Sequence, residues 1–466
     1  MNDLNTKSPF KICNVRYFIA FRVFFNARFY YPVFTILFLD FGLTLQQFAL
    51  LNVAWAAAIV VLEVPSGALA DTIGRRNLLV CAAALMVVEI ALLCFAPMGK
   101  PKLLFAIFLV NRVLSGAAEA AASGADEAIA YDSLKKEGHV SDWGAVLEKQ
   151  MRLQSIAYIG ALSLGAAVYD PALMGRVGHW LGLNIRFTQD LTLRFPLFLT
   201  LLMAVMTLIT TLRMKDVCDA DDAEIEMEQG RGNAIIQSFK LTFKAGRWIL
   251  ATPFVLVIIL STLVFDNSIR MVITLNSQYY RLIHLPEATF GLIGSGMAVF
   301  GIFIPHIARK LAERHSPASN LGVMFVLTLL GLIVMTFFLP VIGLFPILLL
   351  FSGMYLLRFF SSYYLNRVTH SSQRATVLSF NGLSLNLAYG LIGLLYSLLL
   401  ATLRSHASGN QLNLDGQSLE NLLFIKSISF FPWYFLLSFI TLCLFARWKL
   451  RGSDEHKRAG VALVDE

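Results

Sequence analysis

Apolar residues gather in twelve runs, at roughly 17–41, 45–69, 77–97, 103–131, 151–170, 192–213, 250–280, 288–308, 320–341, 343–365, 375–402 and 424–446. A helix needs about 20 apolar residues to cross a bilayer, so the pattern predicts an all-α membrane protein with twelve transmembrane helices. Long polar intervals are confined to 132–150, 171–191, 216–228 and 403–423. The polar stretch 214–248 divides the chain into an N-terminal six-helix half (1–213) and a C-terminal one (249–466). Its first part, DVCDADDAEIEMEQ, reads as a solvated linker. In its second part Ile235, Ile236, Phe239 and Phe243 alternate with Lys240, Lys244 and Arg247 at helical spacing. That part is either an amphipathic helix on the inner leaflet or an extension of the seventh helix. A faint repeat supports two halves: Arg22 to Arg270 spans 248 residues and Arg112 to Arg358 spans 246, joining helix one to seven and four to ten.

Of the 466 residues 57% are hydrophobic and 15% charged, against about 45–50% and about 25% in soluble proteins. Twelve crossings leave only connectors, which excludes a soluble enzyme. The net charge of +8 is a matter of topology rather than of nucleic acid, because Lys and Arg cluster in the connectors. With both termini cytoplasmic, 25 fall on that side, 8 on the other and 5 inside helices. This predicts a multi-pass protein of the cytoplasmic (inner) membrane with both ends inside. Cys81, Cys94 and Cys443 lie in apolar runs, Cys13 and Cys218 in polar ends, and no C-x-x-C occurs; neither a disulfide framework nor a metal site is implied. The polar start MNDLNTKSPF lacks a cleavable signal, so the first run is expected to be retained.

After the second run the chain reads Gly67-Ala-Leu-Ala-Asp71-Thr-Ile-Gly74-Arg75-Arg76. Gly67 permits close helix packing, Gly74 a tight turn, and Asp71 can cap a helix or pair with the arginines. This resembles the G-x-L-A-D-x-x-G-R-[RK] signature of the major facilitator superfamily, at the same loop of a twelve-helix chain. Arg112-Val-Leu-Ser-Gly116 is similar to an element on the fourth helix of proton-coupled antiporters in that superfamily. Glu63-Val-Pro-Ser-Gly67, Ser123-Gly-Ala-Asp126-Glu-Ala, Tyr131-Asp-Ser-Leu134 and Arg374-Ala-Thr-Val-Leu-Ser379 look like one bacterial branch. The fifth helix departs from the antiporter pattern: it has Gly160 and Gly165 but no Gly-Pro pair. The resemblance implies that Asp71, Arg75 and Arg76 form a conformational latch, with Asp132 as acidic partner. The matching connector of the second half, Pro305-His-Ile-Ala-Arg309-Lys310, keeps the basic pair but lacks the Asp and Gly, so the latch is expected to be asymmetric.

An ionisable side chain within the bilayer costs at least about 2.5 kcal/mol and marks a function or a pair. Here they are Arg22, Arg28, Glu63, Glu89, Arg112, Glu119, Asp126, Glu127, Asp266, Arg270 and Arg358. Nine fall on helices one, four, seven and ten, which by the resemblance line a central cavity. Arg112, Glu119 and Asp126, spaced by seven, are expected on one stripe of the fourth helix. Glu119 is the first candidate for proton coupling, its alternative being a permanent pair with Arg112; Glu89 follows, and Asp266 is the third, with a local i,i+4 pair to Arg270 as its alternative. Arg22, Arg28, Arg112, Arg270 and Arg358 outnumber the deep carboxylates, which suits an anionic substrate. Tyr30, Tyr31, Phe359, Phe360, Tyr363 and Tyr364 add aromatic surface, and Asn111, Asn267, Asn276, Gln278, Asn381 and Asn386 polar contacts. None of the eight histidines lies in the middle of a run, which disfavours a histidine relay.

The expected function is alternating-access transport of an organic anion or amphipathic metabolite, driven by the proton gradient without cofactor or metal. The protein is expected to work as a monomer in a lipid bilayer. Export is favoured by the Arg112–Gly116 element, and proton-symport import is the alternative. A non-transporting receptor on the same fold would not need the charged latch, and no nucleophile–base pair or nucleotide loop points to an enzyme. Reporter fusions test the topology: a cytoplasmic-only reporter is expected to be active at residue 466 and inactive after residue 185, and the reverse pattern contradicts the charge count.

Overall fold

The computed structural model describes residues 8–183, 185–216, 246–368, 371–407 and 415–450, leaving out the side chains of 67, 68, 71, 72, 302, 371–376 and 378. Most of the linker, including its acidic part and the amphipathic segment up to residue 245, thus lies outside the described residues, as do the side chains of the Gly67–Asp71 and Arg374 motifs. The described helices are α1 (Cys13–Asn26), α2 (Phe34–Asp40), α3 (Leu45–Ile73), α4 (Arg75–Cys94), α5 (Pro101–Ala122), α6 (Ala125–Glu137), α7 (Trp143–Tyr169), α8 (Pro171–Trp180), α9 (Gln189–Thr192) and α10 (Phe195–Leu212). They continue with α11 (Pro253–Thr274), α12 (Asn276–Leu282), α13 (Phe290–Arg314), α14 (Pro317–Met335), α15 (Leu344–Val368), α16 (Ser371–Ser405), α17 (Gly416–Ile428) and α18 (Phe431–Leu450). Among the described residues there is no strand. The chain forms two compact units, 1–238 with 285–298, and 239–284 with 299–466.

Among the described residues eleven helical stretches are long and apolar enough to cross a membrane, one fewer than the twelve runs of the sequence. The missing one is the first run, which breaks into α1 and α2 at Ala27–Val33; Pro32, without an N–H, lies in the break. The freed backbone finds new partners: the Phe29 N–H donates to Thr200 Oγ1 at 3.0 Å, and Arg28 Nε donates to the Phe25 carbonyl at 3.3 Å. α7 packs against this break. A Cβ on Gly165 would stand 1.8 Å from the Phe29 carbonyl oxygen, whereas one on Gly160 would meet nothing within 4 Å.

The run 103–131 is also interrupted. Gly124, at φ +77°, is in the left-handed region that favours glycine and separates α5 from α6. Asp126 therefore leaves the stripe predicted for Arg112 and Glu119 and starts a new helix, where an acidic residue suits the positive end of the dipole. The interval 132–150 is largely helical rather than polar loop, and 171–191 contains α8.

Antiparallel α4 and α10 are fastened at both ends by arginines. At the start of α4, Arg76 donates to the carbonyls of Met214 (2.7 Å) and Leu212 (3.0 Å) at the end of α10. At the start of α10, Arg194 donates to those of Cys94 (2.5 Å) and Ala96 (2.8 Å) at the end of α4. Each guanidinium thus satisfies carbonyls that a helix terminus leaves unbonded.

Gly165→Ala is expected to lower stability by about 1–3 kcal/mol through overpacking, read as a fall in detergent melting temperature. Gly160→Ala is expected to leave it unchanged.

Candidate functional site

In the first unit the deep charges sort into sealed and open groups. Arg28 follows directly on the break after α1, and Glu89 projects from α4. Arg28 Nη1 lies 2.5 Å from Glu89 Oε1, with the two side chains 3% and 0% exposed. Asn111 of α5 completes the cluster, its Nδ2 donating to Glu89 Oε2 at 3.1 Å and to the Glu89 carbonyl at 2.8 Å. Arg28 stacks on Phe25, its guanidinium carbon 5.4 Å from the ring centre. This is a charge-neutral, hydrogen-bonded buried pair. Arg28 is thus buried against Glu89 as its counter-ion, a closed pair where the sequence suggested an arginine open to a cavity and a separate carboxylate.

Arg22 is likewise spoken for. Its Nη2 donates to Asp126 Oδ1 at 3.0 Å and to Glu127 Oε1 at 2.8 Å, joining α1 to the start of α6. The acidic pair follows the glycine break, and only that break brings it to Arg22. Arg112 is 6% exposed, donates to Asn52 Oδ1 at 3.2 Å and lies between the rings of Phe34 and Trp55, 5.3 and 5.4 Å away. Its Nε finds no acceptor among the described residues.

Glu119 differs from all of these. It lies seven residues along α5 from Arg112, is exposed, and its carboxylate makes neither an ion pair nor a hydrogen bond among the described residues. It is within electrostatic range of Arg28, Arg22, Arg112 and Glu89, and also acts on Tyr31, whose ring is 41% exposed. The alternative offered for Glu119, a pair with Arg112, is absent among the described residues, where Arg112 turns to Asn52. The small residues around Glu119 serve packing: a Cβ on Gly116 would stand 2.7 Å from the Trp55 carbonyl on α3.

At the expected latch, Arg75 pairs with Asp132. Arg76 has a different role, capping α10, while its own N–H donates to Asp216 Oδ1 at 3.0 Å. Gly74 takes φ +88° between α3 and α4. The Asp71 side chain lies outside the described residues.

The second unit repeats the division. On α11, Arg270 Nη2 stands 2.8 Å from Asp266 Oδ2, an i,i+4 pair. Arg270 Nη1 donates to Asn386 Oδ1 at 3.3 Å, and the guanidinium lies 5.3 Å from the Tyr389 ring centre on α16. Arg358 on α15 is exposed and makes no ion pair or hydrogen bond among the described residues. Of the polar candidates, Asn267 Oδ1 and Asn381 Oδ1 are buried without partners among the described residues, whereas Gln278 donates to Asn421 at 2.7 Å. The aromatic pairs of α15 stack upon themselves, Phe359 on Tyr363 and Phe360 on Tyr364, both at 5.9 Å. Among the described residues no group of three His, Cys, Asp or Glu could hold a metal ion.

The sequence reading missed Asn52 as the partner of a deep charge and the break at Pro32, and it took Asn111 for a polar substrate contact where the structure sets it on Glu89. The signals were present: each asparagine interrupts an apolar run, and a proline inside such a run loses a helical hydrogen bond.

The Major Facilitator Superfamily model matches residues 17–394. Comparison with curated proteins gives no match. Among solved structures, a bacterial homologue of the human lysosomal transporter Spinster, inward-facing and unoccupied, has 15% identity and a TM-score of 0.67, over 95% of this chain and 98% of that one. A mutant form of the nucleoside transporter NupG has 12% identity and a TM-score of 0.66, over 94% and 100%. A D-xylose-proton symporter has 10% identity and a TM-score of 0.58, over 90% and 96%. At such identities these likenesses establish the fold alone.

Glu89→Ala is expected to cost about 3–5 kcal/mol by leaving Arg28 buried without a counter-ion. The double replacement Arg28→Met with Glu89→Leu is expected to recover most of it, measured by thermal unfolding in detergent.

Proposed function

The chain belongs to the major facilitator superfamily, whose members are membrane transporters, and on that premise we propose that it couples the movement of an organic anion to that of protons. The observation that carries this reading is the sorting of the deep charges. Among the described residues, Arg22, Arg28 and Arg270 are each neutralised by carboxylates; Arg112 and Glu63 lack an oppositely charged partner but are at least partly buried, whereas Glu119 in one unit and Arg358 in the other are exposed and make no ion pair or hydrogen bond. A charge kept in an apolar setting without a counter-ion is costly, and a ligand or proton that compensates it is the simplest reason to keep it.

Arg358 offers a planar fork to a carboxylate or phosphate. Arg112, with one free N–H and two aromatic walls, supports the same class of substrate with an apolar body. Glu119 is the proton carrier: protonated, it removes a negative charge from the neighbourhood of Arg112, the one nearby arginine without a carboxylate partner among the described residues, so its titration changes how strongly that region attracts an anion. The protein works as a monomer in the cytoplasmic membrane with both termini inside, and the proton gradient supplies the energy. Export is the favoured direction. Proton-symport import is the second reading, favoured by the fifth helix, whose Gly165 serves contact with Phe29 rather than an antiporter signature.

Comparing metabolites inside and outside cells with and without the protein identifies the cargo, and proteoliposomes with an imposed pH gradient then test the mechanism. Glu119→Gln is expected to abolish gradient-driven flux while sparing exchange of substrate across the membrane. Arg358→Gln is expected to raise KM roughly tenfold to hundredfold, as loss of a charged hydrogen bond predicts. Wild-type flux in Glu119→Gln removes the coupling assignment, and wild-type KM in Arg358→Gln removes the anion site.

A further inference from the structure

The second unit holds a cavity of about 570 Å³ between α11, α14, α15 and α18, and neither Arg358 nor the Asp266–Arg270 pair lines it. Its walls are apolar, with Ile258, Met324, Leu357, Phe360 and Phe439 among them. On α18, Phe439, Cys443 and Arg447 all line it. Spaced by four, they stand on one helix face, and Arg447 lies about 12 Å along the axis from Phe439. The guanidinium is exposed and makes no hydrogen bond or ion pair among the described residues.

Two further observations point to an occupant. Asn320 and Ser361, 1% and 7% exposed, both line the cavity, and Asn320 Oδ1 and Ser361 Oγ have no hydrogen-bond partner among the described residues. The Asn320 amide donates to Tyr364 Oη at 2.7 Å, so the tyrosine hydroxyl keeps its own hydrogen to give. Ser316, which caps the 19-residue α14, and Pro317 and Ala318, its first two residues, also line the cavity and bring the positive end of a helix dipole to it. The cavity thus joins an apolar body to a polar, positively charged end.

We propose that this cavity takes one acyl chain of an anionic phospholipid from the leaflet facing the chain termini. Arg447 and the start of α14 hold the phosphate, and Ser361 and Tyr364 offer hydrogens to an ester carbonyl. The volume lies within the roughly 300–1,000 Å³ of small-molecule sites. A soluble metabolite would gain little from walls this apolar, whereas basic pockets between helices on the cytoplasmic side are where anionic headgroups bind. The assignment is independent of which solute the protein carries.

Cys443 is a built-in reporter. Full-length protein with Cys443 as its single cysteine, the others replaced by serine, is reconstituted in phosphatidylcholine with or without phosphatidylglycerol, and the rate of N-ethylmaleimide labelling is measured. Phosphatidylglycerol is expected to slow labelling about tenfold once it reaches some ten times its dissociation constant, and Arg447→Gln is expected to bring the ratio of the rates in the two bilayers to one, a ratio that cancels the direct effect of the Arg447 charge on the neighbouring thiol. Equal rates in the two bilayers, or full protection in Arg447→Gln, overturn the proposal. Palmitate that protects where phosphatidylglycerol does not assigns the cavity to free fatty acids and overturns the phospholipid. Faster labelling in pure phosphatidylcholine after truncation beyond Leu450 assigns it to the chain's own tail, with the same consequence.

Discussion

Charge in an apolar medium has to be compensated, and the fold is organised around meeting that demand. The clearest case is the Arg28–Glu89–Asn111 cluster. It joins the break after α1 to α4 and α5, and it neutralises an arginine that a continuous first helix would place elsewhere. Pro32 and the cluster depend on each other. The break delivers Arg28 to Glu89, and the buried pair holds the broken segment where Thr200 and Gly165 can receive Phe29.

The same demand explains features that have no charged partner. Arg76 and Arg194 sit at opposite ends of the α4–α10 pair and donate to carbonyls that would otherwise face an apolar surrounding unbonded. What resembles a latch motif therefore has two separate duties: Arg75 meets Asp132, and Arg76 secures the end of a helix. Arginine does this well because its fork reaches two acceptors at once.

The fold was legible in the sequence to the extent that apolar length dictates it. The signature at Gly67–Arg76 and the run lengths lead to the right family, and the i,i+4 spacing of Asp266 and Arg270 is the spacing of the pair that forms. Breaks inside runs were less legible. Heptad spacing put Asp126 in line with Glu119, but one glycine at positive φ moved it onto another helix and beside Arg22. Pairings between distant helices were not legible at all, since nothing in the spacing of Arg28 and Glu89 says that a kink will bring them together. Counting arginines thus overstated the free positive charge.

The central claim is that two carboxylates in one unit have different tasks, Glu89 as a fixed counter-ion and Glu119 as an open, titrating group. Infrared difference spectra of the reconstituted protein across a pH step test it most directly, because a carboxyl group that gains a proton acquires a C=O stretch separate from the carboxylate bands. The account predicts a protonation band that disappears in Glu119→Gln and persists, unchanged in midpoint, in Glu89→Gln carrying Arg28→Met. A band that survives Glu119→Gln and vanishes with Glu89 contradicts it.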